Sequence, residues 1–334
     1  MYMDLNSDRR ETPIKFGFLR KYIISIIRDP RDVIMVELYI CVIGYLTTSL
    51  CLLYIYPSHL LGFLLLIFNV VVFFQRYILT LHYSSHRQLF KNKFINGLLP
   101  DLVSPFYGIF SGFYHTHHVI MHHNENNGWL DHSSTMPYQR DNIWHLLHYI
   151  GNHMFFEIFK LPKYVYDKFG GIKTKRFITM MLKLFVTFVV IGVMWKLNPI
   201  WCLWALIMPY IVSSFALMIG NWSQHIFINA DDPSKNENLT YNCINSLNNK
   251  YSYNDGYHII HHKYPYMHWS EMPVFFQNND YSNTLTFEGI GFMGVGMACL
   301  LGKYDYLYSH MKTNLSKDAA ISLLKSRLKP IPKY

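Results

Sequence analysis

The sequence predicts an all-α integral membrane protein with four transmembrane helices in two hairpins and a cytosolic, histidine-rich helical cap. Three observations predict this fold class. First, 51% of the 334 residues are hydrophobic and only 15% are charged, which is unusual for a soluble protein. Second, four apolar runs have about the 20 residues that a bilayer crossing requires. Third, the basic residues avoid the short tips that join these runs.

The four apolar runs form two pairs. Residues 33–56 and 58–80 are joined by "YPSH", and residues 177–197 and 200–220 are joined by "NP". Such short connections predict two helical hairpins. The N-terminal stretch "MYMDLNSDRRETP" is too polar for a cleaved signal peptide, so we expect the first run to act as an uncleaved anchor.

The distribution of charge predicts the orientation. Of the 30 Lys and Arg residues, 7 lie in 1–32, 10 in 81–176 and 10 in 221–334, whereas the hairpin tips carry at most Lys196. The positive-inside rule therefore places both termini and the central segment in the cytosol.

The remaining segments complete the predicted organisation. Residues 94–113 contain two prolines and are too broken to span a bilayer, and 143–165 mix aromatic and polar residues, so both are expected to be interfacial or re-entrant. Residues 289–301 are short and Gly-rich and should pack inside the protein. The predicted domains are a cytosolic basic segment at 1–32, a membrane domain at 33–275 and a cytosolic C-terminal segment at 276–334.

Eleven of the 18 histidines lie in four stretches, "HYSSH", "YHTHHVIMHH", "NWSQH" and "HIIHH". The first and third begin within two residues of the cytosolic end of a span, so we expect helices two and four to continue past the membrane and carry them. Helical residues at i, i+3 and i+4 share one face, which lets imidazoles meet one metal ion or two neighbouring ones. The residues with this spacing are His82 and His86, then His118 and His122 with His123 turned toward a neighbouring site, then Asn221 and His225, and finally His258, His261 and His262.

Nine histidines are too many ligands for one catalytic ion, so this set fits two metals. Imidazole suits iron, zinc and copper alike, so residue type leaves the metal open. Isolated histidines are more often hydrogen-bonded or solvated than ligands, and we assign six of the remainder to that class and three to supporting roles. The six are His59, His132, His145, His148, His153 and His310, and the three are His115, His117 and His268.

Other classes of function are disfavoured. The net charge of +9 is spread over three segments, and the chain has no zinc-finger, basic-zipper or phosphate-loop pattern, which argues against nucleic-acid binding. The five cysteines form no CxxC pair, so we expect neither a disulfide framework nor a thiolate metal site. No Glu-x-x-His occurs, which disfavours a carboxylate-bridged metal bundle.

Three of the stretches, "HYSSH", "HHVIMHH" and "HIIHHKYP", resemble the histidine boxes of the membrane-bound fatty acid desaturases in their order and intervening hairpin. "NWSQH" resembles that family's Asn-xxx-His element, and the resemblance covers roughly 60–275. Three residues separate the histidines of the first box, where some acyl-CoA desaturases have four. Three also separate His118 and His122 in the second box, where many have two.

The resemblance implies two iron ions in a di-iron centre, with Asn221 holding a water. The implied ligands are His82, His86, His118, His122, His123, His225, His258, His261 and His262. Ligand imidazoles need an orienting carboxylate or carbonyl, for which Asp101, Glu125, Asp255 and Glu271 are candidates. Tyr257, Trp222 and Trp269 are candidates either for lining an acyl tunnel or for packing.

The implied activity is an O₂-dependent desaturase that introduces a double bond into a fatty acyl chain at the cytosolic face of the endoplasmic reticulum membrane. A separate electron donor such as cytochrome b5 or a ferredoxin is expected, because the chain has no haem-binding His-Pro-Gly-Gly element and no flavin or nicotinamide fingerprint. A lipid hydroxylase with the same boxes is the alternative among enzymes. A metal transporter or metal-stabilised receptor is the alternative from another class, but a transporter would place its ligands near the bilayer midplane, where the spans are nearly free of histidine.

Overall fold

The computed structural model describes residues 17–232 and 235–333, so residues 1–16 of the predicted N-terminal segment lie outside the described residues. The described chain divides into two compact units. The hairpin unit comprises residues 17–119 and 158–214, and the C-terminal unit comprises residues 120–157 and 215–333. The domain bounds drawn from the sequence remain predictions.

Helices make up most of the described residues, and strands are almost absent, as predicted. In chain order the helices are α1 (Phe18–Ile26), α2 (Val33–Ile55), α3 (His59–Asn69), α4 (Gln75–His86), α5 (Lys93–Val103), α6 (Phe113–His115), α7 (His123–Glu125), α8 (Ile143–Phe169), α9 (Lys175–Leu197), α10 (Pro199–Cys202), α11 (Met208–Gln224), α12 (Asn236–Leu239), α13 (His258–Lys263), α14 (Met272–Asn278), α15 (Phe292–Leu300), α16 (Tyr304–His310) and α17 (Lys317–Ser326). Two short strands, β1 (Asn242–Ile244) and β2 (Thr286–Glu288), complete the fold.

Four helices are long and apolar enough to cross a bilayer, which confirms the predicted spans. They cover Pro30–Ile55, His59–His86, Lys175–Leu197 and Pro199–Gln224. The second and fourth continue beyond the apolar runs to residues 86 and 224, as expected. The last turns of these two helices therefore carry the first histidine stretch and all of the third except His225.

Three π-helical turns, whose backbone hydrogen bonds run from i to i+5, join α-helices in the described chain. They are Val70–Phe74, Thr116–His122 and Leu203–Ile207. The last contains Trp204, which packs so closely on α3 that a Cβ added at Gly62 would lie 2.2 Å from its Cγ. The Trp204 indole also donates to Nδ1 of His59 at 3.1 Å, which accounts for this histidine as an ordinary packing residue.

The segment predicted to be interfacial or re-entrant, residues 94–113, is broken as expected. Helix α5 ends at Val103, and the chain then turns at Gly108, whose φ of +71° is a left-handed conformation that favours glycine. A Cβ at Gly108 would lie 2.3 Å from the carbonyl oxygen of Pro209 in α11. The Lys183 ammonium of α9 pairs with Asp101 at 2.6 Å. These contacts fix the segment within the hairpin unit.

The C-terminal unit has a core formed by α8, α11, α15 and the two strands. Strands β1 and β2 pair in parallel, with Cys243 opposite Phe287, and both residues are completely buried. The sequence did not predict these strands, because three residues are too few for an alternating pattern to emerge. Helix α15 has nine residues and packs Val295 and Cys299 into this core, as expected for a segment too short to span.

Candidate metal centre

Three histidines of the hairpin unit form a cluster, which we call the hairpin triad: His82, His86 and His118. His82 and His86 lie one turn apart on α4, and His118 is contributed by the π-helical turn Thr116–His122. Their ring centroids are 4.3 Å (His82–His118), 5.0 Å (His86–His118) and 5.5 Å (His82–His86) apart. One ligand atom from each lies within 4.8 Å of the others, close enough to share a metal ion.

A second cluster, the C-terminal triad, lies in the C-terminal unit and consists of His122, His225 and His262. The ring centroids form a nearly equilateral triangle with sides of 5.0, 5.0 and 5.1 Å. All three side chains are buried, and one ligand atom from each lies within 4.8 Å of the others. Three segments far apart in sequence therefore converge on one point.

The other predicted ligands of this unit surround the C-terminal triad. His258, one turn before His262 on α13, lies 4.7 Å from it and 5.4 Å from His225 between ring centroids. His123 stacks on His262 at 4.6 Å, and its Nε2 lies 3.1 Å from Nε2 of His261. All six predicted histidine ligands of this unit are thus brought together.

The second histidine box lies on a π-helical turn instead of the expected regular helix. His118 belongs to the hairpin triad and His122 to the C-terminal triad. Regular α-helical spacing predicted that these two residues share one face. In the structure they belong to two different clusters.

The C-terminal triad has the donor chemistry of a metal site. The Nε2 atoms of His225, His258 and His262 are buried and make no hydrogen bond to the residues that the structure describes. Burial, together with neighbouring histidines, holds the pKa values of His225 and His262 well below the usual value, so both imidazoles are neutral. A neutral imidazole nitrogen with a free lone pair is a metal ligand, so these residues fit a metal ion.

Hydrogen bonds from the opposite ring nitrogen orient two members of the triad. His225 donates from Nδ1 to the Leu239 carbonyl at 2.9 Å. His122 donates from Nδ1 to Oδ2 of Asp131 at 2.7 Å. Each bond places the proton on Nδ1 and makes Nε2 the ligand nitrogen, as is usual for metal-ligating histidines.

Asp131 contacts the C-terminal triad, and the sequence did not reveal this contact. Its carboxylate is buried and also accepts from the amides of Asn127 at 3.1 Å and Ser133 at 2.8 Å, and from the Ser133 hydroxyl at 2.6 Å. It lies nine residues after His122, in an irregular loop, so no helical spacing connects the two residues.

The four carboxylates proposed from the sequence lie at different places in the fold. Asp101 pairs with Lys183 in the hairpin unit. Asp255 accepts from Gln224 at 2.7 Å and lies 3.6 Å from Nδ1 of His258, which is beyond a good hydrogen bond. Glu125 ends α7, and Glu271 directly precedes α14.

Asn221 lies one helical turn before His225, and its amide is firmly oriented. Nδ2 donates to the Ser133 carbonyl at 2.9 Å and to the Tyr149 hydroxyl at 2.7 Å. Both amide hydrogens are thus used, which leaves Oδ1 as the atom able to bind a water. Of the predicted tunnel aromatics, Trp222 packs in the core of the C-terminal unit.

The matched family agrees with these observations. The sequence model described as fatty acid desaturase matches residues 57–280, about two thirds of the chain. The matched stretch contains both triads and the last three of the four candidate spans. No curated protein sequence and no solved structure gives a significant match. On the extent of the family match, the chain belongs to the fatty acid desaturase family.

Proposed function

We propose that this protein is a di-iron desaturase that uses O₂ to introduce a double bond into a fatty acyl chain. Family membership implies an oxidoreductase that acts on fatty acyl substrates with O₂. The observation that carries the finer proposal is the set of unbonded, buried imidazole nitrogens in and beside the C-terminal triad. A buried polar atom without a partner costs about 1–3 kcal/mol, so three together argue for a bound cation.

We assign one iron to each triad. His82, His86 and His118 would hold the first, and His122, His225 and His262, with His258 beside them, would hold the second. The irons would supply the reduction of O₂ to an oxidant strong enough to attack an unactivated C–H bond. The protein orients ligand nitrogens through Asp131 and the Leu239 carbonyl, and burial keeps the imidazoles of His225 and His262 neutral.

Two alternatives receive less support. A transporter would bind its ion near the bilayer midplane, whereas His82 and His86 lie on the last two turns of the second candidate span. A hydroxylase shares the first hydrogen abstraction and differs in whether the substrate radical loses a second hydrogen or captures oxygen. We favour desaturation because the chain has the complete box set together with Asn221 and His225.

The metal assignment is tested by iron content. Purified wild-type protein should contain about two irons, and His262→Ala should retain about one, because it removes a ligand from one triad alone. His310→Ala is the matched control, since His310 lies on α16 and contacts Tyr306. Wild-type protein that is active with zinc and no iron would refute the di-iron proposal.

The reaction is tested by expression in a host that lacks the activity, followed by mass spectrometry of total fatty acids. Desaturation yields an acyl species lighter by two hydrogens, which should disappear with His262→Ala and persist with His310→Ala. A species heavier by one oxygen and without a new double bond would show that the protein is a hydroxylase.

We also propose that the protein resides in the endoplasmic reticulum membrane with its termini and metal centre in the cytosol. The four apolar helices support a multi-pass membrane protein, and the distribution of Lys and Arg supports the orientation. A separate cytosolic donor, such as cytochrome b5 or a ferredoxin, would deliver the electrons.

A further inference from the structure

Arg140 of the C-terminal unit is completely buried. Burial lowers the pKa of Arg140 to about 9, so the guanidinium still carries its charge at neutral pH. A buried charge is costly unless it is paired or fully hydrogen-bonded. The partners of this side chain therefore indicate its role.

Six backbone carbonyl oxygens from three separate segments accept hydrogen bonds from Arg140. The acceptors are Ile226 from Nε at 2.8 Å, then Thr135, Met136 and Tyr138 from Nη1 at 3.0, 3.4 and 3.2 Å, then Arg327 and Lys329 from Nη2 at 2.8 and 2.6 Å. A planar guanidinium carries five N–H donors in a fixed fork, whereas an ammonium offers three. The arrangement therefore requires arginine specifically.

Both flanks of His225 are held by this network. Ile226 directly follows His225, and the Thr135 hydroxyl donates to the His225 carbonyl at 2.6 Å. On the other flank, the Trp222 indole donates to the Arg140 carbonyl at 3.1 Å. The backbone that carries His225 is thus fixed by Arg140 through its side chain and its main chain.

The same side chain holds residues 327–331, which we call the C-terminal tail. Three backbone bonds attach the tail to neighbouring segments: Ile228 to Arg327 at 3.0 Å, Arg140 to Leu328 at 2.9 Å and Ile331 to Met136 at 2.9 Å. The Leu328 and Ile331 side chains are buried. The tail therefore packs against the segment that follows His225 and against residues 136–140.

We propose that Arg140 is a positioning residue for His225 and that the C-terminal tail belongs to the same support. The proposal rests on the proposed metal centre. Without Arg140 the carbonyl oxygens that it bonds would be left buried and unsatisfied, at about 1–3 kcal/mol each, so the side chain stabilises the local fold. The same fork fixes three backbone segments at once beside His225, and a metal ligand must be held in a narrow range of positions.

The test compares Arg140→Met and Arg140→Lys with the wild-type protein, using iron content and ⁵⁷Fe Mössbauer spectra. Arg140→Met should reduce iron from about two per chain to about one, with the spectrum of the remaining iron unchanged. Arg140→Lys should keep more iron than Arg140→Met but broaden the signal of the affected site. Lys329→Ala is the matched control, because the exposed Lys329 side chain is removed while its carbonyl remains.

The tail is tested by a stop codon after Ser326, with a stop after Ile331 as control. The shorter chain should lose the same iron as Arg140→Met, and the longer should behave as wild type. Hydrogen exchange of metal-free protein provides a second readout, since the amides of Ile228 and Ile331 should exchange about tenfold faster in Arg140→Met.

Two results would overturn the proposal: unchanged iron and spectra in Arg140→Met, or loss of both irons with general loss of exchange protection, which would assign Arg140 to the fold as a whole. Wild-type protein without iron would refute the proposed function instead, and the exchange experiment would still decide whether Arg140 holds the tail.

Discussion

Replacement of Asp131 by asparagine should weaken metal binding at the C-terminal triad while leaving the hairpin triad intact. The Asp131 carboxylate accepts four hydrogen bonds: from Nδ1 of His122 and the Asn127 amide at one oxygen, and from the amide and hydroxyl of Ser133 at the other. An asparagine side chain has one oxygen, so its NH₂ group must face one of these pairs of donors. Either His122 loses its orienting acceptor or the Ser133 amide is left unpaired.

The expected magnitude follows from the contact to His122, a buried charge-assisted bond of 2.7 Å. Loss of such an orienting partner typically lowers metal affinity about 10- to 100-fold, which corresponds to about 1.4–2.8 kcal/mol. A buried donor left unsatisfied adds about 1–3 kcal/mol of destabilisation. The dissociation constant of the C-terminal triad should therefore rise by one to two orders of magnitude, with a measurable fall in thermal stability.

Competitive titration with a metal chelator measures this change, because two irons of different affinity give two separable steps. Only the step of the C-terminal triad should shift in Asp131→Asn. Asp305→Asn is the control, since Asp305 is exposed and pairs with Lys317 at 3.1 Å. A titration of Asp131→Asn identical to wild type would show that His122 does not need its carboxylate.

Three further predictions test the membrane fold and the electron supply. Tags at both termini and in the 124–142 loop should be accessible from the cytosol while one at Ser58 is not; protection of the loop tag in sealed microsomes would contradict this topology. Gly62→Ala should lower thermal stability in detergent by about 1–3 kcal/mol, because its Cβ would overlap the Trp204 ring, whereas Gly44→Ala, which meets no atom within 4 Å, should not; equal melting temperatures would contradict the close packing. Purified protein with NADH and O₂ should be inactive until a donor such as cytochrome b5 with its reductase is added, and turnover without one would reveal a redox group in the chain itself.

The spans could be predicted from the sequence because the signals for them are local. Apolar run length, short hairpin tips and charge distribution act within about 25 residues, and the four spans follow from them. The spacing of His82 and His86 likewise depends on a single helix. These features require no knowledge of how distant segments meet.

The support of the metal centre could not be predicted, because it depends on an irregular loop and on contacts between distant segments. Asp131 reaches His122 from a loop with no periodic pattern, and Arg140 joins segments up to 189 residues apart. The carboxylate of Asp101 is close to the second box in sequence, yet it pairs with Lys183. Without a periodic pattern, the sequence does not show which of several nearby carboxylates orients a ligand.

The π-helical turn Thr116–His122 offsets the additional residue in the second histidine box. The second box holds three residues between His118 and His122, where many similar desaturases have two. A π-helical turn takes up roughly one more residue per turn than an α-helix, so i and i+4 within it stand nearly where i and i+3 stand in an α-helix. An insertion between two ligands thus widens one helical turn and leaves both imidazoles near their former directions.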